Sequence, residues 1–202
     1  MLGFPATTEL HKQLPKKAIY AKFKMNTAAK EKIDIDISRI TIVNEISAAK
    51  LHIAEGKQVK NFFVVLVALK KKDFDERTIA TISKLIPQNV LFVLECGEEE
   101  KLAIYYTRLL QTSWKRKGSF SIELKGLTLD AVWENVVIQI SGVEIKSGNT
   151  LDEQIEVDDK RKKLEKQIER LDEQARKEKQ PKKKFELVQV INRLKEEQGG
   201  VE

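Results

Sequence analysis

Glu123 and Lys125 are separated by one residue. That is the spacing at which metal-dependent nucleases let a carboxylate help hold Mg²⁺ while an ammonium orients the attacking water. The further acids such a centre needs would come from Glu95, from Glu98 to Glu100, or from Asp34, Asp36 or Glu45. Two other groups carry charge in a form that suits nucleic acid. Trp114 is followed by Lys115, Arg116 and Lys117, an aromatic beside three cations, and Lys70, Lys71 and Lys72 follow a strongly apolar run, at the carboxyl edge where α/β sheets often bind ligands. Each has a plainer account. Glu123 and Lys125 alternate with Ile122 and Leu124, as on a strand with one wet face, and the two basic clusters are also what a solvated turn and strand end look like.

Other chemistry lacks its residues. No GxxxxGK, GxGxxG, GxSxG or HExxH occurs, so neither a phosphate-cradling loop nor a nucleophile elbow is expected. The chain holds one cysteine, Cys96, and two histidines, His11 and His52, far apart in sequence. A disulfide within one chain, a thiolate metal centre and a cofactor are therefore not expected.

Of the 202 residues, 41% are apolar, enough for one core of ordinary size plus an appendage. No run approaches the roughly 20 apolar residues that cross a bilayer, and the first residues lack the order of a signal peptide. A soluble, cytoplasmic protein is expected. Residues 1–150 hold 23 Lys or Arg against 17 Asp or Glu, whereas the remainder hold 14 against 14, which places the whole surplus of +6 on the front part.

The elements that must position these groups are organised around residues 62–107. Phe62 to Leu69 and Val90 to Leu94 are nearly continuous apolar runs, the mark of strands covered on both faces. Between them Ile79, Ile82, Leu85 and Ile86 recur at helical spacing, with Asp73 and Glu76 as a capping box. The unit is expected to be two parallel strands around a helix. Cys96 to Lys101, with Glu98 to Glu100 as a solvated turn, should lead into an antiparallel strand Leu102 to Thr107. Before this block the pattern gives an extended arm to Pro15 anchored by Phe4 and Leu10. A helix over Lys16 to Lys24 with Ile19, Tyr20 and Phe23 on one face follows, then a helix capped at Asn26 or Thr27. A strand through Ile40, Ile42 and Val43 and a short strand near Leu51 and Ile53 complete the approach. After it come strands at Leu109 to Trp114 and Ser119 to Lys125, separated by a turn at residues 115–118. Thr128 then caps a helix whose Leu129, Val132, Trp133, Val136, Val137 and Ile140 form one stripe.

Residues 1–146 thus read as one α/β (α+β) domain with a mixed sheet and flanking helices, and 147–202 as a helical hairpin or coiled-coil extension. In the extension, Val157, Leu164, Ile168, Leu171 and Ala175 step as a heptad seam, Pro181 ends the first helix, and Leu187, Ile191 and Leu194 resume the spacing. The seam needs either that second helix or a second chain. These residues are the candidate protein-contact surface.

Across nearly its full length the chain resembles a bacterial family, domain-of-unknown-function family 4391. The strings that carry the likeness are PKKAIYAKFK from Pro15, DISRITIVNEIS from Asp36, LKKKDFDE from Leu69, QNVLFVLE from Gln88, ELKGL from Glu123, AVWENVVIQI from Ala131, TLDEQI from Thr150 and KFELVQ from Lys184. The resemblance implies no reaction. It implies a setting, that of accessory proteins of restriction or phage-defence islands beside helicase-like proteins and DNA methyltransferases. The expectation is a non-enzymatic accessory or adaptor subunit of a DNA-processing complex. Its partner would be a helicase-like or methyltransferase subunit, without membrane contact. The rival expectations are a metal-dependent nuclease using Glu123 and Lys125, and a sequence-independent DNA-binding module.

Overall fold

The computed structural model describes residues 2–22, 25–143 and 150–199. Phe23, Lys24 and the expected boundary at 146/147 lie outside them. Among the described residues the chain divides into two compact units, residues 1–142 and 143–202.

The first unit begins with a short turn of 3-10 helix, Ala6–Thr8, and strand β1 (Glu9–Gln13), followed by α1 (Lys16–Lys22) and α2 (Thr27–Asp36). Strand β2 (Ile37–Ser47), the one-turn α3 (Ala48–Leu51), β3 (Asn61–Leu69), α4 (Glu76–Leu85) and β4 (Asn89–Cys96) come next. The unit closes with β5 (Glu99–Tyr105), β6 (Leu109–Gln111), β7 (Lys115–Arg116) and α5 (Leu129–Ser141). The strands form one mixed sheet in the order β1-β2-β3-β4-β5-β6, with β7 also on β5. Only β3 and β4 pair in parallel, Val65 opposite Phe92, which fits their two-sided apolar sequences and the helix between them.

Alternation sends the two faces of the sheet to different helices. Val65, Val67, Phe92 and Leu94 join Ile33 of α2 and Ile79 and Ile82 of α4 in one buried cluster. Phe62 points the other way and meets Trp133 of α5 at 4.9 Å between ring centres. All six stripe residues of α5 are buried, each worth about 1.5–3 kcal/mol if moved from water, so the helix is held by its sheet-facing side.

Several expectations are corrected. Ser119 to Lys125 is not a strand. The backbone N–H of Glu123 donates to Gln139 Oε1 at 3.0 Å, and Gln139 Nε2 donates to the Glu123 carbonyl at 2.8 Å, so a helix side chain takes the place of a ladder neighbour. The expected turn at 115–118 instead starts with β7, which pairs Lys115 with Glu100 and Arg116 with Glu99. No strand forms at Leu51 or Ile53. The chain makes the turn α3, ends it with His52 in the left-handed conformation at φ 55°, and then loops. That loop is pinned by Asp130, whose carboxylate accepts from the backbone N–H of Lys57 at 2.7 Å, Gln58 at 3.2 Å and Val59 at 2.7 Å. Gly56 is required there because a Cβ would lie 2.4 Å from Asp130 Oδ1.

The cap of α4 is Asp75 rather than Asp73, since Asp75 accepts from Arg77 N–H at 2.9 Å. Asn26 caps α2, and Thr128 caps α5. In the opening arm Leu2 is buried, whereas Leu10 is 40% exposed. Pairing with β2 slips between Glu9 and Lys12, where His11 has φ 49° and Leu10 is turned outward. The hairpin turn between β4 and β5 is Gly97 and Glu98 alone, and Glu100 is buried.

The second unit is a helical hairpin of α6 (Leu151–Lys177) and α7 (Pro181–Gly199). Thr150 and Glu153 form a reciprocal capping box at its start. Gln198 Nε2 reaches Glu165 Oε1 at 3.3 Å, which sets the two helices antiparallel.

Candidate functional site

The carboxyl edge of the β3–β4 pair gathers charged and aromatic side chains from several elements. Strand β3 delivers Lys70 to Lys72, the start of α4 delivers Phe74 and Glu76, and β5 delivers Glu99 and Lys101 from one face by strand alternation. Trp114 arrives by a bulge. Ala103 pairs with Gln111 and Glu100 with Lys115, so Lys101 and Leu102 oppose three residues, Thr112, Ser113 and Trp114. The Thr112 hydroxyl accepts from Leu102 N–H at 3.0 Å and holds the register while the extra residue re-aims the indole.

Lys101 is the centre of this cluster. Its residue is buried, its Nζ lies 4.9 Å from the ring centre of Phe74 and 5.1 Å from that of Trp114, and it donates to Gln111 Oε1 at 2.6 Å. Gln111 passes the bond on to Glu76. Burial pushes the Lys101 ammonium below the usual lysine range, and the charge of Glu76 opposes that shift. Lys72 approaches the same indole at 5.8 Å and pairs with Glu99. Of the two basic clusters singled out in the sequence, Lys72 of one and Trp114 of the other thus meet.

Their cations are largely spent within the fold. Lys70 Nζ donates to the Asp34 carbonyl at 2.6 Å, Lys71 pairs with buried Asp36 at 3.2 Å, and Lys117 pairs with Glu95 at 3.1 Å. Asp36 also accepts from Asp75 N–H at 3.0 Å, which ties the end of α2 to the start of α4. Glu95 and Glu100 face each other across β4 and β5, a like-charge pairing that costs stability unless it is compensated. Lys117 and the N–H of Gly118, 2.9 Å from Glu100 Oε1, compensate it. Lys115 lies over the Phe120 ring at 5.0 Å, and Arg116 is exposed.

Glu123 and Lys125 pair with each other in an exposed segment outside the sheet. Among the described residues no group of three His, Cys, Asp or Glu could hold a metal ion. The acid-x-lysine spacing recurs at Glu99 and Lys101, where both side chains do share a strand face. The sequence hides it, because Glu98 to Glu100 has the composition of a solvated turn. What brings Phe74, Gln111 and Trp114 onto Lys101 is tertiary, and no local pattern announces it.

In the second unit α6 and α7 pack on each other. Ala175 and Ile191 are buried, and Val157, Leu164, Ile168, Leu171, Leu187 and Leu194 are half-buried. The seam of α6 therefore has a partner in α7 of the same chain.

No helix among the described residues is long and apolar enough to cross a membrane. Neither a curated protein nor a solved structure matches the chain. A family model, by contrast, matches residues 2–197, nearly all of the sequence, and on that match the chain belongs to the domain of unknown function family DUF4391.

Proposed function

We propose that this protein is a non-enzymatic accessory subunit of a bacterial DNA-processing complex of the restriction or phage-defence kind, acting through protein–protein contacts made by its helical hairpin. The observation that supports this reading is what remains on α7 once the seam has closed. Phe185, Val188 and Val190 stay 63%, 40% and 45% exposed, three apolar residues within six positions of one helix. Phe185 and Val188, three positions apart, are neighbours on one side of the helix, with Val190 on the other flank, and adjacent apolar exposure marks contact surfaces where isolated exposed residues do not. The carboxyl-edge cluster supports the same reading from the other side, because its lysines are committed to internal carboxylates, carbonyls and rings.

The test is co-expression with the two candidate partner classes, a helicase-like protein and a DNA methyltransferase, followed by size-exclusion chromatography with light scattering. A stoichiometric complex that is lost in Val188→Ser/Val190→Ser, with helical content unchanged, is the expected result. A wild-type chain that elutes alone in the presence of both partners removes the reading.

A further inference from the structure

The 14 cations and 14 carboxylates of residues 151–202 are not evenly spread. Six of those cations, Arg176, Lys177, Lys179, Lys182, Lys183 and Lys184, fall within the nine residues 176–184, together with a single carboxylate, Glu178. In the structure these nine residues are the tip of the hairpin: the last turn of α6, the connection 178–180 and the first turn of α7. The rest of the unit is correspondingly acidic.

Of the six tip cations only Lys177 has a carboxylate within ion-pair distance among the described residues. All six are exposed, and the one carboxylate is turned to the backbone, where Glu178 Oε1 accepts from Gln180 N–H at 2.8 Å. Lys177 reaches Glu173 only at 3.9 Å, with both side chains mostly in water. This differs from the lysines of the sheet edge, which are matched one by one.

Helix stability does not account for the arrangement. Arg176 and Lys177 sit at the carboxyl end of α6, and Asp152 and Glu153 at its start, as the helix dipole favours. Helix α7 is charged the opposite way. It has no acid in its first turn and carries Lys182, Lys183 and Lys184 there, with Glu196 and Glu197 near its end. Both the dipole and mutual repulsion work against three lysines in that place. Directly after them stands Phe185, 63% exposed, the most exposed aromatic ring of the described large hydrophobics.

We infer that the hairpin tip, Arg176 to Phe185, binds single-stranded nucleic acid without sequence preference, the lysines pairing with consecutive phosphates and Phe185 stacking on a base. A cluster of exposed cations in excess of nearby carboxylates, with an exposed aromatic at its border, is the combination such binding uses: charge tracks the backbone, and any base offers a π-face. An anionic membrane would also attract the charge. Insertion, however, needs a broad apolar face beside it, and beside this tip only Phe185 and Val188 share an exposed side of the helix. The inference goes beyond the accessory-subunit reading and does not depend on it: Phe185 borders both surfaces, but the tip lysines belong to this one alone, so the lysine variants test it separately.

The test is fluorescence anisotropy of the full chain with a labelled oligo-dT of about 20 nucleotides in about 50 mM salt, repeated over a salt series. The wild type is expected to bind, with affinity falling steeply as salt rises. Lys182→Gln/Lys183→Gln/Lys184→Gln should bind at least about tenfold more weakly and flatten the salt slope by about 2, from about 0.7 per phosphate contact on a single strand. Phe185→Ala should lose about five- to tenfold at an unchanged slope, the lower part of what one stacked base contributes. Arg116→Gln, at an exposed position of the first unit, should leave the affinity for the oligonucleotide unchanged. All these positions are exposed, and circular dichroism checks that the variants keep their helices. Absence of binding by the wild type overturns the inference, as does undiminished affinity in the triple variant. Binding to phosphatidylserine vesicles but not to the oligonucleotide overturns it in favour of a lipid surface.

Discussion

The ammonium of Lys101 lies 5.1 Å from the centre of the Trp114 ring, and the two residues are brought face to face by a single extra residue in the strand that carries the indole. The lysine is buried but not idle: from β5 it reaches Phe74, at the approach to α4, and Gln111 of the outer strand β6.

Two substitutions at Lys101 should therefore part company. Lys101→Met keeps the stem against both rings and removes a charge that burial disfavours, so stability should stay within about 1 kcal/mol of wild type or rise. Lys101→Ala removes the packing as well and should cost about 1–3 kcal/mol. Urea unfolding of both variants decides it, and a Met variant weaker than the Ala variant would show that the charge itself holds the site.

Asp130 sets a pH dependence. The backbone N–H of Val59 foremost, with those of Lys57 and Gln58, holds its carboxyl below the usual carboxylate range. For a depressed acid the contribution is fully present above the ordinary value of 3.8 and is lost as pH falls through the folded value. Asp130→Asn should lower the melting temperature at neutral pH, with the difference closing in strong acid. A pH-independent difference would refute the assignment. Gly56→Ala should mimic the loss at neutral pH by displacing the carboxylate.

In the hairpin, Ile191 is the buried residue of α7. Ile191→Ala should destabilise it by about 2–4 kcal/mol, the range for opening a cavity at an isoleucine. Hydrogen exchange should then quicken through α6 and α7 while β3, β4 and β5 keep their protection. Equal loss of protection in the sheet would mean that the two units unfold as one.

Glu123→Gln should alter stability by less than about 0.5 kcal/mol, as exposed substitutions usually do. Purified wild type supplied with Mg²⁺ or Mn²⁺ is expected to leave DNA and RNA intact. Metal-dependent cleavage that disappears in the variant at unchanged melting temperature would make Glu123 catalytic and displace the accessory-subunit reading.

How much of this was legible depends on how local the signal is. Phe62 to Leu69 and Val90 to Leu94 announce covered strands because each residue is apolar in its own right, and the α5 stripe repeats at helical spacing behind a Thr128 cap. Strand β7 does not announce itself, since Lys115 and Arg116 become a strand only after the bulge has placed them beside Glu100 and Glu99. Ser119 to Lys125 alternates like a strand yet finds Gln139 instead of a neighbour. The hairpin tip escapes charge counting for a simpler reason. Its excess is cancelled, within the same 52 residues, by the acids of the helices that lead to it, and only the position of the turn separates them.

The slip in pairing at β1 bears on how the protein behaves when crowded. A sheet that ended in a long, straight strand would offer its unused N–H and C=O groups to any neighbouring chain, and copies would add edge to edge. Here the last strand is five residues long and fully exposed, carries Glu9, His11 and Lys12, and is kinked at His11. An incoming strand finds no continuous ladder to extend. At this edge the sheet is terminated rather than merely finished, which works against the addition of another copy's strand there.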